Sequence, residues 1–211
     1  MTRQRRIVIA LAAMAMLVAA NSFAAELKIG EAAPDWSGIP GVDGKKYSLS
    51  DYKKAKLVVL VFMCNHCPVA KDYEERLIAI QKKYKSEGVQ VVAACVNDLD
   101  EDRLPAMKER AAGKDLGGWR TNKEPFNFPS IYDETQKIGR DYAATVTPHV
   151  FVLDAKRKIA YMGAVDDNQN LKRVKEHSLS DALDALLAGK QPPKTVTKEF
   201  GCTIKWKEKE K

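Results

Sequence analysis

A chain of 211 residues with 35 basic and 28 acidic side chains carries a formal charge of +7. Three of the basic residues are Arg3, Arg5 and Arg6, and the remaining excess lies in residues 190–211, where seven lysines face Glu199, Glu208 and Glu210; residues 25–189 are formally neutral. That excludes the basic face on which a nucleic-acid binder depends, and four cysteines are too few to staple a fold long enough to bury its own core.

The first 24 residues read as a secretory leader. The arginines precede an uncharged apolar stretch from Ile7 to Ala20, and Ser22-Phe23-Ala24 fits a small-x-small cleavage site. Cleavage there starts the mature protein at Ala25, while an uncleaved leader, extended by Asn21, Ser22 and Phe23, would serve as an anchor. The expected location is the periplasm, with one domain over residues 25–189 and a lysine-rich, solvated tail over 190–211.

Residues 26–56 carry Pro34, Gly38, Pro40, Gly41 and Gly44 and predict loops with a short hairpin around Asp43-Gly44. Leu57–Met63 is an unbroken apolar run, the pattern of a strand buried on both faces. From Cys67 to Lys85, Val69, Tyr73, Leu77, Ile80 and Tyr84 recur at helical spacing, with acids early and lysines late. Val89–Val96 is a second buried strand, so residues 57–96 form a βαβ unit. A helix is expected over Asp100–Ala112, starting near Pro105, then an irregular stretch over Gly113–Asn127. A short strand over Phe128–Tyr132, a helix over Glu134–Tyr142, a hairpin of Val150–Leu153 with Ile159–Met162, and a last helix over Leu179–Leu187 complete the chain. The pattern predicts an α/β fold in a single domain, a central mixed β-sheet flanked by helices. With Cys64 and Cys67 at the first strand–helix junction, two residues between them, it describes a thioredoxin-like fold.

At the junction of the first buried strand and its helix stands Cys64-Asn65-His66-Cys67-Pro68. Two cysteines at this spacing can close a small disulfide, and the unpaired N–H groups of a helix start favour a thiolate on the first of them. The thiolate is the nucleophile of disulfide exchange. Cys64 is therefore the expected nucleophile and Cys67 the resolving thiol. His66 between them can stabilise the Cys64 thiolate and so raise the reduction potential. Thr147-Pro148 precedes the hairpin strand at the place where this fold puts a cis-proline against its active-site cysteines; Thr147 would line the groove where a substrate backbone pairs.

The block Val58–Pro68, with Ala144-Thr145-Val146-Thr147-Pro148 and the segment from Tyr161 to Asp167, resembles the peroxiredoxin-like branch of the thioredoxin superfamily, the alkyl hydroperoxide reductase/thiol-specific antioxidant or redoxin group. The resemblance spans most of residues 28–190 and implies redox-active thiols acting without a cofactor. It departs from true peroxiredoxins at two positions. Val61 stands where they carry a hydroxyl three residues before the reactive cysteine, and Leu57 where they carry a proline.

The expected function is an exported thiol–disulfide oxidoreductase. Its partners would be a protein or small-molecule thiol or disulfide substrate and a membrane redox donor or acceptor. Two competitors stand beside it. One is a thiol peroxidase; the other is a non-enzymatic, Sco-like copper carrier in which Cys64, Cys67 and His149 supply soft and imidazole ligands, with His177 as a further source. Cys95, mid-strand, reads as a buried inert thiol. Cys202 lies in the apolar patch Phe200–Trp206, expected to dock on the body, and is a candidate third redox thiol exchanging with the pair. Asp98, Asp100, Asp102 and Glu109 imitate a calcium loop, but Arg103 holds its glycine position; they read as helix-start carboxylates.

Overall fold

The computed structural model describes residues 27–114 and 124–208. The leader at 1–24 lies outside the described residues, as does most of the irregular stretch 113–127. Among the described residues no helix is long and apolar enough to cross a membrane.

A short hairpin, β1 (Ile39–Pro40) with β2 (Lys46–Tyr47), precedes the sheet. The main sheet is built around β3 (Leu57–Phe62), all six residues of which are buried. Parallel to it runs β4 (Val89–Cys95), from Leu57 opposite Val89 to Phe62 opposite Ala94, and β5 (Ser130–Tyr132) adds in parallel beyond β4. On the other side β7 (His149–Leu153) pairs antiparallel with β3, and β8 (Ile159–Gly163) with β7. The five-stranded order is thus β5-β4-β3-β7-β8, the mixed sheet of a thioredoxin-like fold.

Alternation along β3 feeds two core layers, because successive side chains leave opposite faces. Val59 and Val61 pack with Leu77 and Ile80 of α2 (Glu74–Tyr84) and with Leu179 and Leu183 of α5 (Ser178–Leu187). Val58, Leu60 and Phe62 pack with Trp36 and with Ile138 of α4 (Lys137–Asp141). A strand covered on both faces has no polar side, which is why its sequence is continuously apolar.

Three elements differ from the sequence expectation. The helix expected over 67–85 is two helices, α1 (Pro68–Asp72) and α2, meeting at Tyr73. There the Tyr73 N–H turns to Ala70 C=O at 3.1 Å while its hydroxyl donates to Asp166 at 2.6 Å, so a partner 93 residues away sets the break. The helix expected over 100–112 is a 3-10 turn, Asp100–Asp102, followed by α3 (Leu104–Ala111) with Pro105 in its first turn. The tail is the largest difference. Residues 195–206 run back over the domain: Met162 on β8 exchanges backbone bonds with Thr195 and Thr197. β9 (Cys202–Thr203) then pairs antiparallel with β6 (Val146–Thr147), and the Trp206 ring lies under the Arg140 guanidinium, 4.7 Å away. The described tail lysines keep to solvent while Phe200, Ile204 and Trp206 supply the contacts.

Candidate active site

Where β3 ends, Met63 N–H still bonds Ala94 C=O at 2.9 Å, and the chain then turns into the Cys64–Pro68 corner. Cys67 is the N-cap of α1: its sulfur accepts from Ala70 N–H at 3.4 Å, and Pro68 follows where no N–H is required. The helix terminus therefore serves Cys67 rather than Cys64, for which the sequence suggested it. Both sulfurs converge on one residue. Cys64 Sγ lies 2.9 Å from Thr147 Oγ1, and the Cys67 thiol donates to Thr147 C=O at 3.2 Å. The Thr147–Pro148 peptide is cis. Cys64 is 5 % exposed and Cys67 is fully buried.

Beside this pair lies a polar network centred on Asp102, which has no exposed surface. One carboxylate oxygen accepts the backbone N–H groups of Asn65 at 2.5 Å and His66 at 3.0 Å. The other meets His66 Nδ1 at 2.5 Å and accepts from Asn97 Nδ2 at 3.0 Å. Asn65 is held from the same turn, through Glu101 C=O at 2.7 Å. Asp102 thus fixes both the backbone between the cysteines and the ring orientation of His66. The Asn97 side chain also reaches outward, its oxygen accepting Lys205 N–H of the tail at 2.9 Å.

The two thiols ionise as a unit. Burial pushes the Cys64 thiol far up, helped by its hydrogen bond to Cys67 and by the Asp102 charge. Cys67 is held well below the usual thiol range, chiefly because Cys64 S–H donates to it, with the Cys202 thiol and the Ala70 N–H adding. In this geometry ionisation is favoured at Cys67, whose sulfur faces the Ala70 N–H at the start of α1. Cys202 itself is raised to about 11, mainly by burial and then by its contact with Cys67.

The tail closes the site. Phe200 lies edge-on to Tyr73 at 6.0 Å between centroids, and Cys202 stands opposite Thr147 in the β6–β9 register. Cys202 is half-buried and within hydrogen-bonding reach of Cys67. All four cysteines are free thiols.

Residues 28–183 match the family model described as Redoxin. The chain belongs to the redoxin family. This redoxin is 28% identical over 134 residues to the thiol-disulfide oxidoreductase ResA of Bacillus anthracis, covering 64% of this chain and 68% of that protein. Two solved structures align over most of its length. An uncharacterized conserved protein from Geobacillus kaustophilus is 34% identical, with a TM-score of 0.75 over 86% of this chain and 93% of the other. The protein SMc02350 from Sinorhizobium meliloti 1021 is 29% identical, with a TM-score of 0.74 over 86% and 96%.

The structure of this redoxin redistributes several expected roles. His66, expected beside the Cys64 thiolate, turns its Nδ1 to Asp102 and is mostly buried. The trio considered for copper is not the one the fold gathers. The His149 ring packs tilted against Phe151, 4.5 Å between centroids, and accepts from Thr145 N–H at 3.4 Å, and His177 is exposed at the start of α5. The donors brought within 4.8 Å of one another, among the described residues, are Cys64, His66 and Asp102. There the imidazole and carboxylate already engage each other, so a cation would have to compete with that bond. Cys95 is buried with its thiol toward Asp102 C=O at 3.5 Å. Asp98 and Asp100 pair with Arg103 at the surface, whereas Asp102, grouped with them in the sequence, turns inward. Asp102 and Asn97 are the site residues that sequence reasoning missed. Their signal was position: both follow the carboxyl end of a central parallel strand, where open α/β sheets place their sites.

Proposed function

We propose that Cys64 and Cys67 are the dithiol/disulfide pair through which this redoxin acts as a thiol–disulfide oxidoreductase. The observation that carries the assignment is the convergence of both sulfurs on Thr147. In the reducing direction a thiolate of the pair attacks a substrate disulfide, one substrate sulfur leaves as a thiolate, and the second cysteine displaces the other. The substrate gains two electrons and two protons, and the pair becomes a disulfide. The oxidising direction is the reverse. His66, held by Asp102, is the group that tunes the pair's potential.

Redox equilibrium in graded glutathione buffers, with each cysteine's state read by alkylation and mass spectrometry, tests the assignment. A reversible Cys64–Cys67 couple is expected; a pair that stays reduced throughout would overturn it. A couple near −270 mV, as in thioredoxin, fits a reductase, and one near about −120 mV, as in DsbA, an oxidant.

The leader at residues 1–24 supports export to the periplasm, where a reductase would draw electrons from a membrane donor. The Cys-Asn-His-Cys-Pro block supports placement in the peroxiredoxin-like branch. Peroxide turnover is a separate matter, since Val61 offers no hydroxyl and is sealed within β3. Thr147 Oγ1 supplies a hydroxyl contact to Cys64 from another element. Peroxide consumption is expected at the rate of a free thiol; a faster rate, lost in Thr147→Val, would make peroxidase the better reading.

A further inference from the structure

The edge of Thr147 is where a substrate backbone was expected to pair, and the chain's own tail occupies it. β9 lies antiparallel on β6 with Cys202 opposite Thr147. The approach is close enough that a Cβ on Gly201 would stand 2.1 Å from Thr147 C=O. Phe200 is seated on Tyr73, at the joint of α1 and α2, and Ile204 is buried. The segment therefore presents its cysteine as a bound substrate strand would, with backbone pairing on one side and an apolar anchor on the other. Its thiol packs against the cluster that contains Cys64 and Cys67. With the tail in place, neither sulfur of the pair offers a surface on which a folded substrate could place its own cysteine. Cys202 keeps an accessible face.

We infer that Cys202 is a third redox thiol, an internal substrate that carries the disulfide between the buried Cys64–Cys67 pair and partners outside. The inference rests on the oxidoreductase reading above. The Cys202 thiolate attacks Cys67 Sγ of the Cys64–Cys67 disulfide. The Cys67–Cys202 bond forms as the Cys64–Cys67 bond breaks, and the electron pair leaves on Cys64, which takes up a proton. One disulfide replaces another, so the step needs no external oxidant or reductant. An incoming thiol then attacks Cys202, the outer sulfur, and Cys67 leaves as the thiolate that its surroundings favour. The sequence alone had Cys202 exchanging with the pair as a whole; the contact of its thiol with Cys67 selects Cys67 as the sulfur attacked.

The test maps disulfides in two whole-chain proteins after acid quench and alkylation. In wild type across graded glutathione, linked Cys64–Cys67 and Cys67–Cys202 peptides should rise together. Their ratio should stay constant at every potential, because the two forms are isomers. In Cys64→Ser treated with oxidised glutathione, Cys67 should be recovered mainly linked to Cys202. Cys202 alkylated in every wild-type buffer while Cys64–Cys67 cycles would overturn the relay and leave the oxidoreductase reading intact. So would recovery of Cys67 from the variant as a glutathione adduct with Cys202 alkylated. A wild-type pair that never forms Cys64–Cys67 overturns the underlying reading instead.

Discussion

Asp102 is the residue on which the chemistry of the Cys64–Cys67 corner turns. It receives two backbone N–H groups, an imidazole and an amide with no solvent to share the task. Asp102→Asn keeps the shape but replaces an acceptor with a donor, leaving one inward group unpaired. A loss of about 1–3 kcal/mol in urea unfolding is expected. The same change removes a negative charge that lies beside the coupled pair, on its Cys64 side, and opposes its ionisation. The reduced form should gain relative to the disulfide, and the potential should rise. An unchanged potential in glutathione buffers would leave Asp102 a purely structural anchor. For the thiols themselves, the Cys67 thiolate depends first on the Cys64 S–H. Thiolate absorbance near 240 nm should titrate in wild type below the ~8.5 of a free cysteine. It should move upward toward that value in Cys64→Ala, and an unmoved midpoint would show that the charge rests elsewhere. None of this was legible in the string Asp98-x-Asp100-x-Asp102, because which of three similar aspartates faces inward depends on where the 3-10 turn falls.

At the scale of elements, what could be read from the sequence was what local composition dictates. The strand at 57–62, the hairpin of β7 with β8 and the last helix all declare themselves by unbroken or periodic apolar runs. The break at Tyr73 did not, since it depends on Asp166, and the apolar spacing continues across it. The course of the tail was half legible: Phe200–Trp206 marked a docking patch, but not that it would become a strand on β6. Gly201 is the test of that strand. Its φ is +153°, and a side chain there meets the Thr147 carbonyl. Gly201→Ala should loosen β9, which is read as faster alkylation of Cys202 by iodoacetamide. A loss of about 1.4 kcal/mol of docking free energy corresponds to tenfold. An unaltered rate would mean that the tail is held by Phe200 and Trp206 alone.

For the molecule as a whole, the telling titration is that of His149. It is 7 % exposed, and burial depresses it from the ordinary imidazole value to about 4, with the nearby Glu199 pulling the other way. The unfolded chain therefore binds the extra proton between roughly pH 6.5 and pH 4 while the folded chain does not. The stability contributed is complete above the unfolded value, is lost as pH falls through that window, and levels off below it. At about 1.4 kcal/mol per pH unit the loss is at most roughly 3–4 kcal/mol. His149→Gln should flatten that part of the profile relative to wild type in urea melts at pH 7, 5.5 and 4.5. Parallel profiles for the two proteins would assign the acid sensitivity to carboxylates instead.

The Asn97 side chain has one end in the Asp102 network and the other on the backbone of Lys205. A single amide thereby ties the seating of the tail to the electrostatics beside Cys64, and such a tie works equally in both directions. If closing the Cys64–Cys67 disulfide weakens the hold on the tail by some factor, peeling the tail away must favour the disulfide by the same factor. A partner that grips residues 200–206 would then shift the protein's redox poise without touching either sulfur.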